Sequence, residues 1–230
     1  MARLLIHVEG QTEEDFVNEV LKDHLKAKGF DTVAAHIVGN ARLRRQRGGI
    51  RPWPSVKKDI IHHLREDPAC IATTMVDYYG LPQQAAAAWP GRANATSLET
   101  EAKASTLESA IRDDIGLEMG GRFDRGRFVP FVVMHEFEGL LFSDCAAFGR
   151  GINHPELESS FKSIREQFTS PEDINDSPIT APSKRIAGLL PEYQKPFHGV
   201  LAILEIGLHR IRAECAHFDM WLKRLESLVR

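Results

Sequence analysis

At 230 residues the chain is long enough for one sizeable core, and its 43% apolar and 27% charged residues leave little room for long disorder. A net charge of -3 excludes a uniformly basic nucleic-acid binder but leaves room for a local basic patch. Cys70, Cys145 and Cys215 follow neither a disulfide framework nor a zinc spacing, which fits a reducing cytoplasm, and no segment has the length or composition to enter a membrane.

The apolar run over 3–8 predicts a buried strand that ends in Glu9 and Gly10. Thr12 is the expected N-cap of the first helix. Glu13, Glu14 and Asp15 sit in its first turn, where the helix dipole favours acids, and Phe16, Val17, Val20, Leu21 and Leu25 trace its apolar stripe. A second strand is expected over 32–38. The loop ARLRRQRGGIR then brings Arg42, Arg44, Arg45, Arg47 and Arg51 with no acid among them, a density suited to gripping phosphates, and Trp53 nearby is a candidate for stacking on a base. A solvated surface segment, or a docking site for an acidic partner, is the plain alternative for that loop.

Further along, the pattern predicts a helix over 55–65, a strand over 70–76, a long Pro-, Gly- and Ala-rich connection over 77–95, a helix over 97–115 and a strand over 128–135. Alternating strands and helices predict an α/β fold with parallel pairing and right-handed crossovers. Breakers cluster again over 170–182, and helix alone follows. We therefore divide the chain into an α/β domain over 1–150 and a helical C-terminal subdomain over 151–230 packed on it. Within the latter, Leu201, Leu204, Leu208, Ile211, Cys215, Phe218, Leu222, Leu225 and Val229 recur at steps of three and four. Such a seam serves either the protein's own core or a homodimer through the C-terminal helices, and helices of one chain more often pack internally.

Acids recur where the strands end. Glu9 follows the first, Asp77 the third, and Glu136 and Glu138 the fourth. Parallel strands would gather all four at the carboxyl edge of the sheet, where α/β proteins bind ligands. Taken singly, each acid has an ordinary explanation as a helix-capping or loop charge. Together they would repel one another unless a cation compensated, and Mg2+ or Mn2+ held by carboxylate oxygens is the natural candidate. His135 precedes Glu136 as a possible proton carrier, although a histidine at a strand end is more often structural.

The blocks VEGQTEEDF, DYYGLP, HEFEGLLFSD, APSKRI and the C-terminal C-x-H-F-x-x-W, in this order, resemble a family of small bacterial proteins of unknown function of the DUF4276 type, classed as Toprim-like. The resemblance implies a Toprim-like (Rossmann-like) parallel sheet flanked by helices, a divalent metal at the acidic edge and chemistry on phosphodiester bonds. It also implies kinship with Toprim nucleases of the overcoming-lysogenization-defect type, which often act with an ATPase. By that resemblance Glu9 is a catalytic acid/base or metal ligand, Asp77 leads the usual D-x-D pair, and Glu136 and Glu138 form an H-E-x-E block. Lys184 and Arg185 of APSKRI would reach a phosphate. Tyr79 stands where D-x-D has its second Asp, so Glu136 or Glu138 must supply that oxygen. The expectation is a Mg2+- or Mn2+-dependent nuclease acting on nucleic acid, DNA first, with an ATPase partner in bacterial defence. A catalytically weak binding subunit of an ATPase complex and a metal-dependent phosphatase are the alternatives.

Overall fold

A computed structural model describes residues 2–38, 49–175, 177 and 179–229. β1 (Arg3–Val8) runs into α1 (Gln11–Phe16), a π-helical segment over Val17–Leu21 and α2 (Lys22–Lys28) in direct succession, and the chain returns to β2 (Thr32–Ile37). α3 (Trp53–Glu66) leads to β3 (Cys70–Asp77), and α4 (Thr100–Met119) to two short strands, β4 (Phe128–Val129) and β5 (Val132–Val133). The order across the sheet is β2-β1-β3-β4, with β5 continuing along β3, and every pairing is parallel. This is the expected α/β architecture, with helices on both faces.

Both faces are buried because alternate side chains feed two cores. Leu4, Ile6, Val8 and Met75 pack with the stripe of the first helix, Phe16, Val17, Leu21 and Leu25. Ala72, Val76, Phe128 and Val132 pack on the other side with Val56 and Ile60 of α3 and Leu107 and Ile111 of α4. β3, central in the sheet, is buried at all its residues.

Among the expected boundaries that move, three do so for a clear local reason. The first helix begins at Gln11 with Gly10 as N-cap, because the Glu13 carboxylate turns back to accept from the Gly10 N–H (2.9 Å) and draws Thr12 into the first turn. α4 runs on to Met119, where Gly120 with φ 83 stops it. The strand expected over 128–135 is broken at Pro130, which has no N–H for the ladder. The Thr74 side chain bridges the break: its Oγ1 accepts from Phe131 N–H (2.9 Å) and donates to Phe131 C=O (2.8 Å).

The C-terminal region comprises α5 (Cys145–Gly151), α6 (Glu158–Arg165), α7 (Pro182–Leu189), α8 (Lys195–Ile206), α9 (Leu208–Glu214) and α10 (Ala216–Glu226). The division drawn at residue 150 falls inside α5, and the core passes through it: Ile203, Ile211, Phe218 and Leu222 belong to the same buried cluster as Leu4 and Phe16. The heptad-like seam is not one helix. Gly207, with φ 77, separates α8 from α9, and Cys215, in extended conformation, separates α9 from α10. Its later positions, Ile211, Cys215, Phe218, Leu222 and Leu225, are buried, whereas Leu201 and Leu204 remain exposed on α8.

The C-x-H-F-x-x-W block fastens α10 to the sheet. Trp221 stacks on Phe131 (centroids 4.4 Å apart) and donates from Nε1 to Thr73 Oγ1 (2.9 Å). His217 Nε2 lies 2.8 Å from Glu108 Oε1, and the Glu172 carboxylate accepts from the first-turn N–H groups of His217 and Phe218, both at 3.0 Å. Among the described residues, no helix is long and apolar enough to cross a membrane.

Candidate functional site

Parallel pairing brings the acidic strand ends to one edge. Asp77 is the last residue of β3, Glu9 follows β1, and beyond β5 the chain turns through His135, held at φ 63, before Glu136 and a 3-10 helix over Phe137–Ser143. A positive φ is costly for a residue with a Cβ, so the turn that presents Glu136 and Glu138 is a strained one.

Asp77 is the hub. Its Oδ1 accepts from Phe137 N–H (2.9 Å), its Oδ2 lies 3.2 Å from the Lys195 ammonium, and its own N–H points to Glu9 Oε2 (3.3 Å). Glu138 is fully buried; Lys195 Nζ stands 3.0 Å from its Oε2, close enough for an ion pair but poorly aligned for a hydrogen bond, and Oε1 has no partner. Glu136 accepts from the Ser183 N–H in the first turn of α7 (2.9 Å), the use to which the APSKRI block is put. Glu13, 2% exposed, completes the group from the first turn of α1.

Five acids thus surround one described ammonium, and the proton affinities of Glu9, Glu13, Asp77 and Glu138 respond. Burial, then the charges of Asp77 and Glu13, pushes Glu9 up to about 8. Burial and the Asp77 charge bring Glu13 to about 7. Glu138 is likewise raised to about 7, by burial first, against the pull of Lys195. Asp77 is raised by burial in spite of Lys195. For Lys195 the loss of solvent alone would favour the neutral amine, but the charges of Asp77, Glu138 and Glu13 outweigh it and hold it firmly protonated.

The donor chemistry suits a hard divalent cation: every candidate donor among these five side chains is a carboxylate oxygen, acids outnumber the one ammonium, and a buried oxygen of Glu138 lacks a partner. As arranged, with Lys195 drawn in between Asp77 and Glu138, no three histidine, cysteine or acidic side chains among the described residues converge closely enough to hold one ion.

Other expected residues lie elsewhere. Arg42, Arg44, Arg45 and Arg47 fall outside the described residues. Arg51 is half-buried, and its carbonyl accepts from Trp89 Nε1 (2.9 Å). Trp53 is not available to stack on a base: it is buried against Trp89 and donates to Asp114 (2.7 Å). Tyr78 is a packing residue under the Arg92 guanidinium (3.9 Å), whereas Tyr79 is exposed. Lys184 is exposed on α7 and is not among the groups joined to the acids. Arg185 binds its own loop, through Thr180 C=O (2.8 Å) and Asn175 Oδ1 (3.2 Å).

Sequence reasoning missed Lys195 and read Glu13 only as a first-turn acid. A signal for Lys195 existed: it opens a helix, where the dipole disfavours a cation, so a lysine there points to anionic partners from outside the helix. Among curated proteins and among solved structures no match was found. A family model described as Domain of unknown function (DUF4276) matches residues 8–226, from the end of β1 through α10 and so across the whole acidic edge, and the chain belongs to that family.

Proposed function

We propose that the protein is a metal-dependent nuclease of the Toprim type, hydrolysing phosphodiester bonds of nucleic acid, DNA first, with Mg2+ or Mn2+, in the cytoplasm and beside an ATPase partner in bacterial defence. The observation that carries this reading is the gathering of Glu9, Asp77, Glu136 and Glu138 from three strand ends at one edge, with Glu13 added and a single described ammonium among them. Asp77, Glu138, Glu136 and Glu9 are the residues that would hold the cation, and a bound cation supplies a polarised phosphoryl oxygen and a more acidic water. The chain's own groups do the rest. Phe137 N–H fixes the Asp77 carboxylate, Ser183 N–H fixes Glu136, and Glu9, where it does not itself hold the cation, is the candidate to pass a proton between water and the leaving oxygen. Arg42, Arg44, Arg45, Arg47 and Arg51 are the candidates for neutralising the phosphates of a polymer.

The test is cleavage of supercoiled plasmid and of labelled single-stranded DNA and RNA in Mn2+, Mg2+ or EDTA. Wild type is expected to cut with metal, and Glu9→Gln and Asp77→Asn to lose on the order of a hundred-fold or more of that rate. Cutting that persists in EDTA, or in both variants, overturns the reading. A second reading, a weakly catalytic binding subunit of an ATPase complex, draws on Tyr79, an exposed phenol where an acid would complete the pair with Asp77. It predicts binding without cutting, abolished by neutralising the arginine loop.

A further inference from the structure

We infer that Lys195 is a tethered rival of the divalent cation, occupying the space between Asp77 and Glu138 and leaving it by exchange when the metal arrives. The inference rests on the metal reading above and adds the device that sets metal affinity.

The geometry is that of a displaceable plug. The ammonium lies 3.2 Å from Asp77 Oδ2 and 3.0 Å from Glu138 Oε2, and the side chains of those acids are only 6% and 0% exposed. A Mg2+ ion seated on the same two oxygens would lie roughly 2.1 Å from each, inside the space that Nζ fills, so ammonium and ion exclude one another by contact as well as by charge. Two features of the lysine favour its release. Its side chain is 38% exposed, which with the ammonium turned inward means that the stem faces solvent. It also stands at the first position of α8, where the helix dipole opposes its charge.

The backbone that carries Lys195 is, by contrast, clamped. A Cβ on Gly151 would meet Ala202 Cα at 2.7 Å, and one on Gly199 would meet Thr12 Cγ2 at 3.3 Å, so α8 sits too close to α5 and α1 to slide. Exchange is therefore a rotation of the Lys195 side chain about its own bonds, with the helix as a fixed post. Without metal a single positive charge pairs with Asp77 and Glu138, and a doubly charged ion replaces it.

The experiment uses the full chain. The Lys195 amine is acetylated with a succinimidyl ester and read by peptide mass spectrometry in EDTA and in saturating Mn2+, with exposed Lys184 as the internal reference. Mn2+ binding is measured by calorimetry for wild type and Lys195→Gln. Lys195 is expected to react far more slowly than Lys184 in EDTA and to speed up on the order of ten-fold in Mn2+, while Lys195→Gln binds Mn2+ about ten-fold more tightly. Unchanged Lys195 labelling under saturating Mn2+ overturns the exchange whatever the variant does, and so does a variant that binds Mn2+ equally or more weakly; the metal reading survives either result. No Mn2+ binding by wild type or variant overturns the metal reading and the exchange with it. The labelling arm needs no substitution and stands if Lys195→Gln fails to fold.

Discussion

Glu138 has the most to reveal, since it was legible in the sequence as one of several strand-end acids but its surroundings were not. Nothing in HEFEGLLFSD says that the acid turns fully inward or that its counter-ion comes from α8; that depends on a contact with Lys195 far along the chain. The consequence is measurable through pH. Glu9, Glu13 and Glu138 are raised from about 4.5 to about 8, 7 and 7, so between these values the folded state holds protons that the unfolded chain has lost. Stability in EDTA therefore falls as pH rises through that window. Glu138→Gln, which keeps the shape and removes the charge, is expected to be more stable than wild type at pH about 8 by about 1–3 kcal/mol and nearly equal to it near pH about 4, below the unfolded value. Urea unfolding at the two values checks this, and a destabilised variant at the higher one would refute it.

Elements were legible wherever one local rule decided them. The four main strands and the three helices between them follow from apolar runs and helical periodicity, with a parallel arrangement as their consequence. Boundaries failed where a side chain took over a backbone role: Glu13 at the start of α1 and Thr74 at the Pro130 break. The second case gives a prediction. Thr74→Val keeps the β-branched shape but leaves the buried Phe131 N–H without its acceptor, and is expected to cost about 1–3 kcal/mol in urea unfolding, whereas Thr74→Ser, which retains the hydroxyl, costs less. Equal losses would mean that packing, not the bridge, carries the position.

At the scale of the whole molecule, the last helices are part of the sheet's core, which a division at residue 150 does not convey. The periodic seam was visible, but the breaks at Gly207 and Cys215 decide which of its leucines face inward. The fastening of α10 depends on His217, where burial disfavours the charge but the hydrogen bond and charge of Glu108, with Glu172 behind, hold the imidazole above its ordinary 6.5. That contribution is complete below pH about 6.5 and is lost as pH rises through the folded value. His217→Gln is therefore expected to lose about 1–2 kcal/mol at pH about 6 and a shrinking amount at alkaline pH, followed by thermal unfolding.

The ion pair between Lys195 and Asp77 spans 118 positions of sequence. During synthesis the acids that follow β1, β3 and β5 leave the ribosome well before their counter-ion, so a nascent or truncated chain without a bound cation carries a knot of negative charge that resists closing. Without a bound cation, compaction of the acidic edge is thereby expected to wait until Lys195 has been made.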